Sequence, residues 1–563
     1  MRGRAWCAAL FAPLVVAALS RTGEARNPHV SGSVKNVAII GAGAAGASTA
    51  YHLSQYAADE GVPINITVFE KTQHVGGRTL TVDAYDDPSE PVELGASIFV
   101  SVNHIIHGAA LDFGLELQDP MPHNKGDLTI IWDGDKIVYS TTDGSSWWWD
   151  AAKMWWRYGM APYRALGLVK SVVQTFLKMY EPPYFPFRSL TQRVYELGLE
   201  RVTGVTGEQF LADHKIDAEF SRHILQPATR VNYASNLDHI HGLETMVSFA
   251  TDGAVSVKGG NWQIFDKMME HSGAQLCKNT SVESIRLRAK SQTPKSSIQY
   301  TLSTSSGTEQ TAFDNIIIAT PWQFSNISTG AGVITHRIDE VPYRKLYVTL
   351  FTSPYMLRTD MYGLERGSKP PSNVYTTLVK GESPRYDDPA GHTGFLSLST
   401  LRTVTNPATQ RREFLYKMFA MDDILVEYLD NFFDADVAEE ADGAEDGDEA
   451  RPSRKVSWHY SRAFHSYPIE LPRVTFQDPI VGNGVYYTSG IESFISTMET
   501  SALMGKNVAR LIADDLAGKP SGGAAQLWGQ PPEAASTSRG RQRGDFFESL
   551  ENDLDEMFFM GEL

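Results

Sequence analysis

The chain has 563 residues, a formal net charge of −17 at pH 7, and 42% hydrophobic residues. This length exceeds what one compact core usually holds, so we expect two domains. The negative charge is local, because residues 434–449 hold nine acids, residues 545–562 hold seven, and neither run contains a base. Such runs are typical of solvated loops and tails, and no basic stripe indicates a nucleic-acid partner.

The N-terminal segment has the pattern of a secretory signal peptide. Arg2 and Arg4 precede an apolar run at residues 5–19, and small and polar residues follow. We therefore predict a signal peptide over residues 1–25 and a destination in the vacuole, the lysosome or the extracellular space. An uncleaved membrane anchor is the alternative. Three sequons for N-glycosylation are compatible with secretion, at Asn65, Asn279 and Asn326.

Cysteine and histidine usage argues against two kinds of site. Cys7 lies in the predicted signal peptide, which leaves Cys277 as the only mature cysteine. No intramolecular disulfide and no cysteine-rich metal site can then form. Two close histidine pairs lack an accompanying cysteine or carboxylate constellation, so we predict surface or core histidines and no metal site. These pairs are His104 with His107 and His239 with His241.

A glycine-rich turn between a strand and a helix is the most informative motif. Residues 37–40 are typical of a buried strand, and residues 47–56 are typical of an Ala-rich helix. A second strand at residues 64–69 ends in Glu70, followed by Lys71. The turn lets the backbone approach a pyrophosphate at the helix N-terminus, and the acid can bind ribose hydroxyls. The glycines of the turn are Gly41, Gly43 and Gly46, and Ala44 and Ala45 lie between the last two of them.

The segment after Glu70 indicates FAD rather than a nicotinamide cofactor. It contains Gly76, Gly77 and Arg78. These residues resemble the second motif of the superfamily of flavin amine oxidases and GDP-dissociation-inhibitor-like flavoproteins, in which an arginine assists the diphosphate. The alternative is a Gly-Gly turn with a surface arginine.

Two further segments are predicted to contact the cofactor. The small-residue turn of Gly95, Ala96 and Ser97 lets the backbone approach the cofactor, although such a turn can also end an ordinary hairpin. A strand that begins at Val282 is expected to present its backbone to the adenine.

A turn and helix near the C-terminus are predicted to face the flavin ring. Gly490, Ile491 and Glu492 form the turn, and the helix covers residues 497–512, with Met498 at its start. A helix N-terminus stabilises negative charge on a reduced flavin, and Glu492 could bind ribityl hydroxyls. The alternative is a helix that only packs.

The pattern of elements predicts an α/β fold, in which a Rossmann-like FAD-binding domain is interleaved with a mixed α+β substrate domain. The FAD-binding domain is assigned residues 36–100, 251–330 and 480–516. The substrate domain is assigned residues 101–250, 331–433 and 451–479. Residues 434–450 and 518–563 are predicted to be disordered.

The substrate domain should contain a hairpin at residues 128–139 and an amphipathic helix from residue 165 to the prolines at 182–183. The apolar face of this helix is predicted to contain Leu166, Val169, Val172, Val173, Phe176 and Tyr180. Residues 341–430 are expected to alternate strand and helix. The tryptophans at 147–149 and 155–156 are interpreted mainly as core. Their alternative roles are the entrance for a lipid-like substrate or contact with a membrane surface.

Three segments together resemble the prenylcysteine oxidase family, also called prenylcysteine lyase. The resemblance covers roughly residues 36–515 and rests on residues 230–233, on residues 256–261, and on residues 486–492 with 498–502 and 506–509. It implies an FAD-dependent thioether oxidase that acts on farnesyl- or geranylgeranyl-cysteine released from degraded prenylated proteins. The implied products are cysteine, a prenyl aldehyde and hydrogen peroxide, with dioxygen as the acceptor.

This resemblance leaves the substrate contacts and two other functions open. Hydride transfer from a thioether needs no strong base, so no catalytic residue is assigned. Cys277 lies far along the chain from the C-terminal flavin segment, so the flavin is expected to be non-covalent. A secreted flavin amine oxidase and a non-catalytic prenyl-lipid carrier are the alternatives. We expect an apolar tunnel for the prenyl chain, while the candidates for the amino-acid end are Arg230, Asn232, Tyr233 and Asn261.

Overall fold

A computed structural model describes most of the chain. The described residues are 33–120, 126–143, 147–251, 253–288, 298–365, 367–383, 386–433 and 454–520. The predicted signal peptide, the acidic insertion at 434–450 and nearly all of the predicted tail lie outside them. The predictions for those segments stay predictions.

A six-stranded sheet forms the centre of the cofactor half of the protein. Five of its strands are parallel, and the sixth pairs antiparallel at one edge. The order across the sheet is Ile480–Gly482, Val485–Tyr487, Asn315–Ile318, Lys35–Ile40, Ile64–Phe69 and Gln275–Cys277.

The central strands of this sheet are buried on both faces, which explains why they are mainly apolar. In the strand Lys35–Ile40, Val37 and Ile39 pack into a helical layer, whereas Ala38 and Ile40 pack against a second sheet. The helical layer contains Ala44–Asp59, His104–Asp112, Trp262–Ser272 and Met498–Ala517. The second sheet has the order Gly307–Thr308, Tyr300–Thr304, Val282–Leu287 and Ser328–Thr329.

The first and last helices of this layer approach each other closely. A Cβ on Gly505 would lie 2.3 Å from the carbonyl oxygen of Ala45. The Ser48 hydroxyl donates to the carbonyl oxygen of Ala502 at 2.7 Å. This contact sets the N-terminal turn of helix Ala44–Asp59 directly against the last helix.

A seven-stranded sheet supports the other half of the protein. Its pairs are antiparallel except for Pro371–Thr376, which runs parallel to Leu128–Trp132. On one face, Leu346 and Val348 share a buried cluster with Leu94 of the cofactor half, so this face is turned toward the cofactor half. The order is Trp458–Pro468, Tyr343–Ser353, Arg412–Ala420, Ser397–Thr405, Pro371–Thr376, Leu128–Trp132 and Ile137–Thr142.

Most of the other helices share a buried cluster with the helical layer of the cofactor half. None of the described helices has the length and apolarity needed to cross a membrane. The α-helices are Trp147–Tyr158, Ala161–Leu177, Leu190–Glu196, Glu200–Thr203, Gly207–Asp213, Ala218–Phe220, Gln226–Tyr233, Gly242–Phe249 and Val426–Leu429.

Two expectations for this half have different outcomes. The predicted hairpin is present as Leu128–Trp132 and Ile137–Thr142, with the Asp133 carboxylate accepting two backbone N–H groups in the turn. The expected alternation of strand and helix over 341–430 is wrong. That region consists mainly of antiparallel strands, because their alternate side chains are buried in two separate apolar clusters.

The prediction that the tryptophans and Leu166 are buried is also wrong in part. Trp155 is 62% exposed, Trp156 is 86% exposed and Leu166 is 55% exposed. Val169, Val172 and Phe176 are buried as predicted. The side chains of residues 147–149 lie outside those that the structure describes. An apolar surface therefore lies on helices Trp147–Tyr158 and Ala161–Leu177.

Candidate active site

The glycine turn forms a tight corner at the carboxyl edge of the six-stranded sheet. Gly41 has a φ of +106°, and a Cβ there would lie 2.7 Å from the carbonyl oxygen of Ala319. A Cβ on Gly46 would lie 1.9 Å from the carbonyl oxygen of Gly41. Both positions therefore require glycine, and the following helix begins directly beside the sheet.

Gly43 and Gly77 form the sides of an open cradle at the N-terminus of this helix. Gly43 forms a parallel bridge with Gly76, and a Cβ on Gly43 would meet only the Gly77 Cα, at 3.8 Å. No described side chain caps the helix, so the first-turn N–H groups of Ala44 and Ala45 are available to an anion. The cradle fits a pyrophosphate.

Glu70 lies beside the cradle at the end of strand Ile64–Phe69. Its side chain is 6% exposed. One carboxylate oxygen accepts the Ala42 N–H at 2.9 Å, and the other accepts the N–H and hydroxyl of Thr72 at 2.9 and 2.8 Å. These bonds fix the carboxylate while leaving acceptor capacity for a ribose. Lys71 is exposed and lies next to it.

The strand predicted to approach the adenine lies at the same edge. The N–H of Glu70 donates to the carbonyl oxygen of Cys277. The carbonyl oxygen of Glu70 in turn accepts the N–H of Thr280 at 2.8 Å. Val282, which is 5% exposed, then begins the strand Val282–Leu287. The Glu70 carboxylate and the start of this strand are thus brought together.

An ion pair connects the second glycine motif with the C-terminal turn. The Arg78 guanidinium lies 2.7 Å from the Glu492 carboxylate, which is 3% exposed. The Tyr343 hydroxyl donates to the same carboxylate oxygen at 3.0 Å, and Arg78 also donates to the carbonyl oxygen of Ser466 at 2.7 Å. Burial, followed by the nearby carboxylate, raises the pKa of the Tyr343 hydroxyl, which therefore stays a donor. Both halves of the protein meet at this pair.

The turn before the last helix is packed tightly. Gly490 and Ile491 are buried, and a Cβ on Gly490 would lie 2.8 Å from the Gln477 Cβ. The helix begins at Met498, where the side chain of Thr497 accepts the N–H of Thr500 in a capping box. Its position relative to a flavin ring stays a prediction.

The Gly95, Ala96 and Ser97 turn is held by two side chains from elsewhere. Ala96 has a φ of +52°, and its carbonyl oxygen accepts the Asn261 amide at 2.8 Å. The Lys417 ammonium donates to the Ser97 hydroxyl at 2.9 Å. Burial lowers the pKa of Lys417 to about 8, against the opposing effect of Glu93. Lys417 was not predicted, since nothing in its local sequence distinguishes a strand lysine that faces inward.

The residues predicted for the amino-acid end of a substrate have mainly structural contacts. The side chain of Asn261 donates to Ala96 and accepts the Val257 N–H at 2.7 Å. The side-chain amide of Asn232 donates to the Ser248 carbonyl oxygen at 3.0 Å. Arg230 is fully buried, and its donors reach oxygens of Asn236, Thr376, Pro389, Ala390, Thr393 and Phe395.

Tyr233 differs from these three candidates. Its ring meets the Tyr467 ring edge-on, with centroids 5.5 Å apart. Burial, followed by the charge of Glu244, raises the pKa of the Tyr233 hydroxyl. Substrate contact by any of the four predicted residues stays a prediction.

Among the described residues, no group of three His, Cys, Asp or Glu side chains could hold a metal ion. His241 is fully buried and accepts the N–H of Glu244 at the start of helix Gly242–Phe249. His104 contacts the Tyr180 ring edge-on.

The prenylcysteine lyase family model matches residues 141–522, more than half of the chain. The chain belongs to the prenylcysteine lyase family. A second model, of an NAD(P)-binding Rossmann-like domain, matches residues 39–109, which contain the glycine corner and Glu70.

Relatives within this family are similar over almost their whole length. Farnesylcysteine lyase of Arabidopsis thaliana is 26% identical over 520 residues, covering 89% of this chain and 93% of the relative. Prenylcysteine oxidase 1 of Rattus norvegicus is 24% identical over 509 residues, covering 85% and 88%.

Solved structures of amine oxidases have a fold similar to that of this chain. Putrescine oxidase bound to putrescine aligns with a TM-score of 0.51 and 13% identity, over 85% of this chain and 99% of that one. Cyclohexylamine oxidase from Brevibacterium oxydans aligns with a TM-score of 0.50 and 15% identity, over 86% and 99%. Together with the family, this fold identifies an oxidoreductase with a flavin cofactor.

We expect Gly43→Val to prevent flavin binding, because its branched side chain would project into the cradle that Gly77 bounds. Flavin affinity should fall by more than about tenfold. The measurement is the ratio of flavin to protein absorbance after purification and FAD incubation. Gly108→Val is the control, since a Cβ at Gly108 meets no atom within 4 Å. Full flavin content in Gly43→Val would show that the cradle does not hold the pyrophosphate.

We expect Glu492→Gln to weaken flavin retention by about tenfold, because Arg78 loses its charge partner while remaining partly exposed. Tyr343→Phe removes only a hydrogen bond and should have a smaller effect. Flavin dissociation constants, measured by fluorescence on apoprotein, check both variants against the unfolding temperature. Unchanged affinity in Glu492→Gln would remove this residue from the cofactor site.

Proposed function

We propose that the protein is an FAD-dependent thioether oxidase that cleaves farnesyl- or geranylgeranyl-cysteine. The observation that carries the proposal is the complete cofactor corner within a member of the prenylcysteine lyase family. The glycine cradle, the Glu70 carboxylate and the Arg78–Glu492 pair would hold the pyrophosphate, the ribose and the ribityl region, respectively.

The chemistry requires a hydride acceptor and water. Bound FAD supplies the acceptor for a hydride from the allylic carbon attached to sulfur, and dioxygen then takes the two electrons to give hydrogen peroxide. Water adds to that carbon, and the resulting hemithioacetal releases cysteine and the prenyl aldehyde. The residues of the chain need only orient the thioether and exclude competing reactions, since a thioether has no proton to remove first.

The flavin is proposed to be non-covalent. Cys277 is the only cysteine among the described residues, and its carbonyl oxygen accepts the N–H of Glu70. It therefore lies at the ribose end of the proposed site, away from the ring that a thiol would have to reach.

The proposed location is the secretory pathway, with the vacuole, the lysosome or the cell exterior as destination. The signal-peptide pattern supports it. The three sequon asparagines are all exposed in the fold, which leaves each accessible to glycosylation.

Turnover of farnesylcysteine in air tests the proposed function. We expect peroxide, aldehyde and free thiol in equal amounts, and acid precipitation should leave the flavin in the supernatant. Putrescine and cyclohexylamine serve as controls for amine oxidation. Amine turnover with inert farnesylcysteine would overturn the proposal in favour of an amine oxidase, and a protein that stays colourless after incubation with FAD would exclude both oxidases.

We also propose that the exposed apolar surface of Trp155, Trp156 and Leu166 contacts membranes, from which a prenylated substrate could enter. Its members lie on adjacent helices, and aromatic rings partition to the membrane interface. Trp155→Ser with Trp156→Ser should reduce sedimentation with phosphatidylcholine vesicles by about tenfold.

The control for vesicle binding is Leu425→Ser with Tyr428→Ser, which removes apolar side chains that are 69% and 46% exposed elsewhere. Equal vesicle binding by the tryptophan variant, the control variant and the unaltered protein would contradict membrane contact through this surface.

A further inference from the structure

The turn of Gly95, Ala96 and Ser97, here called the Gly95 turn, has backbone donors that the protein leaves open. Within the part of the chain that the structure describes, the N–H groups of these three residues donate to no protein acceptor. The flanking residues Leu94 and Phe99 are buried, and each donates its own N–H to a backbone carbonyl oxygen at 2.9 Å. The turn itself is half-buried, so its N–H groups lie where a ligand can accept them.

The Gly95 turn lies against the second glycine motif. A Cβ on Gly95 would lie 3.6 Å from the carbonyl oxygen of Arg78. The Arg78 guanidinium pairs with Glu492, and the residue before it, Gly77, bounds the pyrophosphate cradle. The open N–H groups therefore adjoin residues that are assigned to the flavin.

Ala96 holds a conformation that is unfavourable for alanine. Its φ of +52° lies in the left-handed region, which residues with a Cβ avoid and which glycine adopts freely. The Asn261 side-chain amide donates to the Ala96 carbonyl oxygen at 2.8 Å, and the Asn261 N–H donates to the Glu93 carboxylate at 2.5 Å. A strained conformation of this kind persists only where surrounding contacts impose it.

Lys417 supplies a second contact from the other half of the protein. It lies on strand Arg412–Ala420 of the seven-stranded sheet, on the face turned toward the cofactor half. Its ammonium donates to the Glu93 carbonyl oxygen at 2.7 Å and to the Ser97 hydroxyl at 2.9 Å, and it thereby bridges the two sides of the turn. The Lys417 side chain is 9% exposed, and a buried ammonium is costly unless its hydrogen bonds are made.

We propose that Lys417 is a positioning residue for the flavin. Its ammonium keeps Ala96 in the left-handed conformation and holds the open N–H groups of the Gly95 turn as donors to acceptor atoms of the cofactor. The inference rests on the proposed function, which supplies FAD as that cofactor. It makes the position of the seven-stranded sheet a condition of tight flavin binding, because Lys417 belongs to that sheet.

The flavin affinity of the apoprotein tests this role. Lys417→Met keeps the length of the side chain but removes the ammonium, and it should raise the FAD dissociation constant about tenfold. Lys417→Arg, which keeps the charge and the donors, should recover part of that loss. The control is Lys455→Met, because the Lys455 ammonium also donates to a backbone carbonyl oxygen, that of Phe433. Phe433 packs on the opposite face of the sheet, so this variant should leave FAD affinity unchanged.

Ala96→Gly separates positioning from packing. Glycine adopts the left-handed conformation without strain, so the turn then needs less support. Lys417→Met should therefore raise the FAD dissociation constant only about threefold in the Ala96→Gly background, against about tenfold with Ala96 in place. Equal losses in both backgrounds would give Lys417 a purely structural role and overturn the proposal.

The pH dependence of FAD affinity provides a test on the unaltered protein. Burial lowers the pKa of Lys417 to about 8, and Glu93 is the charged group that opposes this effect. Affinity should be full at pH 7 and about fivefold weaker at pH 9.5, because a neutral amine makes weaker hydrogen bonds than an ammonium. Burial raises the pKa of Glu93 to about 7, and its ionisation with rising pH favours the ammonium, so Glu93 cannot cause the fall. Lys417→Arg should show no such fall, because arginine stays charged.

Unfolding temperatures are measured for every variant. FAD affinity that is unchanged by Lys417→Met, or constant between pH 7 and pH 9.5 in the unaltered protein, would overturn the proposal. An unaltered protein that does not bind FAD would instead show that the proposed function is wrong. If Lys417→Met does not fold, the pH dependence of the unaltered protein still decides between the outcomes.

Discussion

The ion pair between Arg78 and Glu492 holds the two halves of the site together. Its members are separated by most of the chain, one in the second glycine motif and one before the last helix. Tyr343 and the carbonyl oxygen of Ser466, both from the seven-stranded sheet, bind the same two side chains. Because Glu492 is buried, its charge would be costly without Arg78, so the contact fixes the relative position of three segments. The cradle, the last helix and the seven-stranded sheet all depend on that position.

Close backbone packing provides the second requirement of the site. Glycine allows contacts at Gly41, Gly46 and Gly505 that no Cβ could enter, and it thereby brings two helices and the sheet edge together. Beside the Gly95 turn, the buried Lys417 ammonium donates to the Glu93 carbonyl oxygen at 2.7 Å and to the Ser97 hydroxyl at 2.9 Å. A strand of the seven-stranded sheet is thereby fixed to the cofactor half.

The sequence predicted those elements of the fold that depend on interactions between residues close together in the chain. Periodicity and turn residues predicted three elements that the structure contains. They are the strand before Gly41, the hairpin around Asp133 and the helix that contains Val169 and Phe176. The expected alternation of strand and helix over 341–430 failed. The strands of this region are buried on both faces by segments that are distant in sequence. A short stretch of sequence does not show which distant segments will cover it. The same reason explains why the exposure of Trp155 and Trp156 was not predicted, because it depends on whether another element covers their helix.

The fold class and the cofactor motif can be predicted from sequence, because glycine spacing and a following acid constrain the backbone within a short stretch. Three further short segments carry the resemblance to the family. The folded chain was needed to show which of the candidate polar side chains already bond to the protein. It showed that the side chains of Arg230, Asn232 and Asn261 bond to other parts of the protein. Hydrogen-bond partners come from residues far apart in the chain, so the availability of a buried charge is a property of the folded molecule.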